Sequence, residues 1–146
     1  MNYYENINFH QNISCFLENS LKNDRLAHAY LFHGEQGVGK LYTALTLFHW
    51  IGKKANDPFI DKGLKNLSHP DLSIIIPVKK TTAVDPVEYR GVLDELADNP
   101  FVVPSCDGQP AIHIETIREL NAWLYTSSSY QGGRFVVIAE AHKMRT

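Results

Sequence analysis

A chain of 146 residues, 44 % hydrophobic and 21 % charged, has the composition of a soluble globular protein and can bury roughly 68–70 % of its unfolded surface around one core. Its formal net charge of −2 gives no electrostatic case for nucleic-acid binding by this segment alone, and two cysteines, Cys15 and Cys106, exclude a disulfide framework or a four-cysteine zinc site. No run of about 18 apolar residues occurs, and Met1-Asn2-Tyr3-Tyr4-Glu5-Asn6 has neither a basic region nor an apolar signal core, so a cytoplasmic protein with no membrane association is expected.

In chain order, Ile13, Phe16, Leu17 and Leu21 share one face at helical spacing and predict a helix over residues 12–23. Arg25-Leu26-Ala27-His28 then approaches Ala29-Tyr30-Leu31-Phe32, an apolar stretch predicted as a buried strand. That strand runs into His33-Gly34-Glu35-Gln36-Gly37-Val38-Gly39-Lys40, where Gly34, four residues, then Gly39-Lys40 is the spacing of a phosphate cradle. Glycines let backbone N–H groups curl around an anion, and lysine adds a point charge. The pattern arises by chance in a chain of this size and composition roughly 3 times in 100. Leu41, Ala44, Leu45, Phe48 and Ile51 predict a helix over residues 41–52, whose positive dipole end faces the same anion. The candidate phosphate-binding residues are therefore Gly34, Gly37, Val38, Gly39, Lys40 and Leu41. Leu41 breaks the pattern, because the residue after the lysine normally offers a hydroxyl to Mg²⁺.

Residues 53–69 mix charge, Gly, Pro and Asn without a period and read as an exposed excursion. After His69-Pro70-Asp71, the β-branched run Leu72-Ser73-Ile74-Ile75-Ile76-Pro77-Val78 predicts a strand buried on both faces, as in a parallel sheet covered by helices. Lys79-Lys80-Thr81-Thr82 returns to solvent. Asp85 as cap and Pro86 at the first helical position open a helix carrying Tyr89, Val92, Leu93 and Leu96, which Asn99-Pro100 ends. Residues 101–110 read as a loop punctuated by Pro104, Asp107-Gly108 and Pro110. Ile114, Ile117, Leu120 and Leu124 then predict a helix that stops at Ser127-Ser128-Ser129. Gln131-Gly132-Gly133 turns the chain into Arg134 and a second buried strand, Phe135-Val136-Val137-Ile138-Ala139, which exits at Glu140.

Alternating strands and helices give the α/β class with a mostly parallel sheet, in which ligands bind at the carboxyl ends of the strands, where Lys40 and Glu140 would lie. A nucleotide-hydrolysing site of this kind also carries an apolar strand ending in Asp-Glu, the Asp holding the Mg²⁺ shell and the Glu orienting water. Here the pair is Ala139-Glu140, a degenerate version, and Glu140 is expected to serve structurally by pairing with Lys143 or Arg145. No catalytic residue and no metal ligand is assigned. The seven histidines are scattered without metal-ligand spacing and read as ordinary polar residues. Trp50 and Trp123 lie in predicted helices and read as packing, and the serine run has no partner spacing for nucleophilic catalysis.

With these residues in view, the chain resembles the N-terminal part of the clamp-loader subunits of bacterial DNA polymerase III, of the AAA+ P-loop class. Four segments carry the resemblance: Arg25-Leu26-Ala27-His28-Ala29-Tyr30-Leu31-Phe32 leading into the phosphate loop, His69-Pro70-Asp71-Leu72, Ile117-Arg118-Glu119-Leu120, and residues 133–144 from Gly133-Arg134-Phe135 to His142-Lys143-Met144. It implies a three-layer sandwich with a mostly parallel sheet, incomplete at the C-terminus, since the family's later strands, lid and collar lie past residue 146. The P-loop strand of the family sits between two of those later strands, and leaving it without neighbours costs paired backbone groups. The 146 residues are thus expected to be a fragment, marginal as an isolated domain.

The resemblance further implies ATP at the phosphate loop. Partners would be the other clamp-loader subunits in a hetero-oligomeric ring, with the sliding clamp and primer-template DNA engaged through the assembly. Hydrolysing members carry the hydroxyl and the Asp that Leu41 and Ala139 replace, so Mg²⁺ would be poorly held and the delta-prime type, a non-hydrolysing scaffold, is favoured over the gamma/tau-like motor type. The four-cysteine zinc module found in many relatives is absent from residues 53–68, so no zinc is expected. Two other readings stand beside this one: an active AAA+ ATPase whose Mg²⁺ is held by water and phosphates, and a P-loop nucleotide kinase, which would normally show Ser or Thr after Lys40 and an Arg-rich lid.

Overall fold

The computed structural model describes residues 10–78, 86–101 and 110–144. The expectations placed on Lys79-Lys80-Thr81-Thr82, Asp85, Pro104, Cys106, Asp107-Gly108 and Arg145 lie outside the described residues. Among the described residues five helices and two strands follow in order: α1 (Gln11–Lys22), α2 (Lys40–Lys54), α3 (Ile60–Lys65), β1 (Leu72–Ile75), α4 (Pro86–Asp98), α5 (Ile114–Leu124) and β2 (Phe135–Ile138), with a 3₁₀ turn at Ala141–Lys143. β1 and β2 pair in parallel with Leu72 opposite Phe135 and Ile75 opposite Ile138. Helices lie between the two strands in sequence, as the parallel connection requires, and the α/β class follows.

The centre is α2, with every residue from Tyr42 to His49 buried. A helix apolar on most of its circumference must be covered on most sides. Leu17 of α1, Ile60 and Leu64 of α3, Ile74 of β1, Leu96 of α4 and Val137 of β2 join its side chains in one core. The two buried threonines of the helix are satisfied locally: the Thr43 and Thr46 hydroxyls donate at 2.9 Å to the carbonyls four residues back, Gly39 and Tyr42. Tyr89 of α4 donates its hydroxyl to the Ile74 carbonyl, pinning α4 to β1, and burial pushes that phenol up from its ordinary pKa.

The predicted buried strand over residues 29–32 is not a strand. Leu31 is 82 % exposed, while Tyr30 and Phe32 pack against the core and stack with ring centroids 6.4 Å apart. Among the described residues no strand lies alongside it, so only the two alternate side chains facing inward are covered. The excursion expected over residues 53–69 is also corrected. It contains α3, and Asp57, Ile60, Leu64, Leu67 and His69 are all buried. Its apolar residues are too few to show a period, yet Gly52 and Gly63 let it close: a Cβ at Gly52 would sit 2.5 Å from Ile60 Cδ1, and one at Gly63 would sit 2.8 Å from the His69 ring. β2, expected to be buried, buries only Val137. Of the α1 stripe only Leu17 is buried, and α5 buries none of its residues.

The two strands are joined by more than their ladder. Asp71, 1 % exposed, stands just before β1, and its carboxylate accepts the amides of Ser129 at 2.9 Å and Tyr130 at 3.0 Å. Its own carbonyl accepts the Phe135 amide at 2.8 Å, starting the pairing. Its amide donates to His69 Nδ1 at 3.1 Å, and His69 Nε2 reaches Asp57 Oδ2 at 2.8 Å. Since Nδ1 accepts, the proton sits on Nε2, and His69 is the neutral tautomer that donates to Asp57. Asp57 Oδ1 in turn accepts the Phe59 amide at 2.8 Å, shaping the entry to α3. The histidines were read as ordinary polar residues, but His69 is a buried strut, and His49, 4 % exposed, meets Asp61 at 2.9 Å. Asp71→Ala is expected to cost roughly 2–4 kcal/mol in urea unfolding, because two hydrogen bonds to a charged, buried acceptor are lost, at about 1.5–3 kcal/mol each before water re-solvates the exposed Ser129 amide. A loss under about 0.5 kcal/mol would contradict this role.

Candidate functional site

The phosphate-loop residues come together as one turn between the unpaired residues 29–33 and α2. Gly34, Gly37 and Gly39 have φ of +144°, +78° and +85°. These are left-handed conformations that residues with a Cβ rarely adopt, so the glycines make the curl. Gly39 is the N-cap of α2, no side chain caps that end, and its first turn carries no acidic residue. The orphan N–H groups and positive dipole end of this 15-residue helix therefore have neither a side-chain cap nor a first-turn carboxylate.

Lys40 is the first residue of α2, and its Nζ donates back across the loop to the Gly34 carbonyl at 3.0 Å and the Glu35 carbonyl at 2.6 Å. The ammonium is thereby centred over the turn, where it adds to the field of the helix end. Val38 is half-buried, its Cγ2 lying 3.6 Å from where a Cβ on Gly34 would stand. From outside the loop, His10 Nε2 donates to the Val38 carbonyl at 2.8 Å. Sequence reading missed His10, whose only signal is its place just before α1, 28 residues away.

The two positions that depart from the hydrolytic pattern are both apolar and both packed against the core. Leu41 leans into the cluster around α2, and Ala139 extends the parallel pairing, its amide donating to the Ile75 carbonyl at 2.8 Å. Glu140 follows in the left-handed region at φ 50°, and its carboxylate pairs with Lys143 within the same 3₁₀ turn, as its structural reading expected. Among the described residues no group of His, Cys, Asp and Glu is arranged to hold a metal ion. The donor set thus suits an anion, through backbone N–H groups and Lys40, and does not suit a protein-held Mg²⁺, which needs oxygen ligands where Leu41 and Ala139 stand.

At the opposite end of β2, Arg134 lies over the Trp123 ring with its guanidinium carbon 4.0 Å from the centroid, and its Nη2 donates to the Ser127 carbonyl at 2.6 Å. Trp123 is thus a cation–π platform that ties the end of α5 to β2. The Ser127-Ser128-Ser129 run is the loop that Arg134 and Asp71 hold in place.

A family model described as DNA polymerase III, delta subunit, matches residues 9–146, nearly the whole chain. The chain belongs to this delta-subunit family. It is 40 % identical over 67 residues to the DNA polymerase III subunit delta' of Bacillus subtilis (strain 168), a stretch covering 42 % of this chain and 20 % of that relative. The match therefore spans about a fifth of the relative's length. No solved structure matches the chain significantly. In this delta-subunit family member the carboxylate after β2 is engaged by its own turn, and a test of that structural role is Glu140→Gly. Glycine relieves the left-handed backbone while the ion pair is lost, so stability is expected to change by less than about 1 kcal/mol. A loss above about 2 kcal/mol in thermal or urea unfolding would show a larger role for the carboxylate.

Proposed function

We propose that this chain forms the nucleotide-binding part of a delta-prime-type subunit of the DNA polymerase III clamp loader. In this reading it is a cytoplasmic protein with the P-loop (AAA+) sandwich architecture, and it holds ATP without hydrolysing it. As a scaffold it packs beside the other clamp-loader subunits in a hetero-oligomeric ring, and it contributes to loading the sliding clamp on primer-template DNA through that assembly. Membership of the delta-subunit family supports the reading. The single observation that carries the non-hydrolysing part is the pairing of an intact Gly34-to-Lys40 loop with the apolar Leu41 and Ala139, both packed against the core.

The chemistry follows from what each group can do. The N–H groups of the loop and the Lys40 ammonium stabilise the negative charge of a β- or γ-phosphate by direct donation and by the helix dipole. Phosphoryl transfer to water needs more: a metal fixed between the phosphates and a placed nucleophile, which together supply most of the electrostatic stabilisation of the transferring group. Bound ATP supplies its own phosphates and the water-borne cations they attract. This chain adds neither a hydroxyl at 41 nor a carboxylate at 139, and Glu140 is held by Lys143. Binding energy is therefore spent on a stable bound state, which suits a rigid wall of a ring. The test restores the missing ligands with Leu41→Thr and Ala139→Asp. The unaltered chain is expected to bind an ATP analogue equally with Mg²⁺ and with EDTA and to release no phosphate, and the doubly substituted chain to gain at least about tenfold in affinity on adding Mg²⁺, or about 1.4 kcal/mol. Phosphate release by the unaltered chain would identify it as a motor subunit instead.

A further inference from the structure

The phosphate loop has one anchor that its sequence motif does not include. His10 stands at the N-cap of α1, where its carbonyl accepts the Ser14 amide at 2.9 Å, and its Nε2 reaches the Val38 carbonyl at 2.8 Å. A carbonyl only accepts, so Nε2 bears the proton and donates. The peptide joining Val38 to Gly39 is planar, and the chain has no cis peptide among its described residues. In a trans peptide the C=O and the N–H point in opposite directions. Holding the Val38 carbonyl toward α1 therefore holds the Gly39 N–H on the far side, away from α1.

That amide belongs to the set of backbone donors with which such a loop meets an anion. Among the described hydrogen bonds, the one from His10 is the one that fixes this peptide. Gly39 sits at φ +85° and has no Cβ, so its own backbone preference does not favour this orientation of the peptide over the one at negative φ. A rotated peptide would present the partial negative charge of a carbonyl where a donor is required. The neighbouring restraints act elsewhere: Lys40 closes on the carbonyls of Gly34 and Glu35, and Thr43 binds the Gly39 carbonyl. We propose that His10 is a positioning residue for phosphate binding, locking the Val38 carbonyl outward so that the Gly39 N–H is presented to the phosphate. The proposal rests on the reading of the loop as a phosphate site, and it makes the start of α1 a determinant of that site's affinity.

Two readouts on the full chain separate the lock from the site. The first uses no ligand: nuclear magnetic resonance relaxation of the Gly39 amide in the unaltered protein, His10→Ala and His10→Gln. His10→Ala is expected to raise the exchange contribution at Gly39 at least about twofold as the peptide samples both orientations on the microsecond to millisecond scale, with Leu47 in the core unchanged. His10→Gln, whose amide Nε2 donates from a similar reach, should restore the unaltered value. The second is titration with inorganic pyrophosphate in EDTA, a probe with no base, sugar or metal. His10→Ala is expected to weaken it about 3–10-fold, the effect of one hydrogen bond, and His10→Gln to stay within about twofold of the unaltered protein. Equal relaxation at Gly39 in all three proteins, or equal pyrophosphate affinity for the unaltered protein and His10→Ala, overturns the lock while leaving the phosphate site standing. Failure of the unaltered protein to bind pyrophosphate or ATP overturns the phosphate site, and the proposal with it.

Discussion

The carboxylate of Asp71, sealed at the head of β1, accepts the amides of Ser129 and Tyr130 from a loop nearly sixty residues away, while its own amide is received by His69. Hydrogen bonds to an ionised acceptor are roughly twice as strong as neutral ones, and burial of the Asp71 carboxylate strengthens them further. The consequence is geometric. Fixing residues 129–130 beside Asp71 sets where β2 begins, and the register of β2 against β1 then decides where Ala139 and Glu140 emerge. The same chain of bonds runs back through His69 and Asp57 to the start of α3, which packs on α2. The loop from Gly34 to Gly39 runs directly into α2, so its position is tied to this network through the helix.

In the proposed reading, the loop separates two things that hydrolytic sites combine. The anion is met by backbone, which needs only the glycines and the helix end, whereas the metal is met by side chains at two fixed positions. In that reading Leu41 and Ala139 remove the second function and leave the first, and both side chains pack against the core. Both are partly buried there, and apolar burial stabilises by about 0.8 kcal/mol per buried methylene. The left-handed Glu140 marks where the chain leaves β2, and its pairing with Lys143 gives the carboxylate a use that requires no ligand.

Much of this was legible in the sequence, and the exceptions have physical causes. α1, α2, α4 and α5 follow from apolar residues at helical spacing, and their predicted ends agree with the observed ones to within a residue or two. The spacing alone could not say how much of each stripe is covered: it holds equally for α2, buried almost throughout, and α5, with no buried residue. Residues 29–32 have the composition of a strand, but a strand is made by its neighbours, and the described residues provide none there. The corner around α3 was missed because its packing rests on two glycines and a buried histidine, residues that read as loop when taken singly. At the site, the glycine and lysine positions announced the curl directly. The hold of His10 on the Val38 carbonyl could not be read, because it joins residues 28 apart that share no periodicity.

The central claim is that the loop from Gly34 to Lys40 binds the phosphates of a nucleotide through backbone and lysine without a protein-held metal. Calorimetric titration with ATP in excess EDTA, run beside Lys40→Ala, tests it most directly. The account predicts saturable binding of the unaltered chain, weakened at least about tenfold in Lys40→Ala, or about 1.4 kcal/mol, with unfolding stability altered by no more than about 0.5 kcal/mol because the side chain is outside the core. No binding by the unaltered chain, or binding that Lys40→Ala leaves intact, would contradict it.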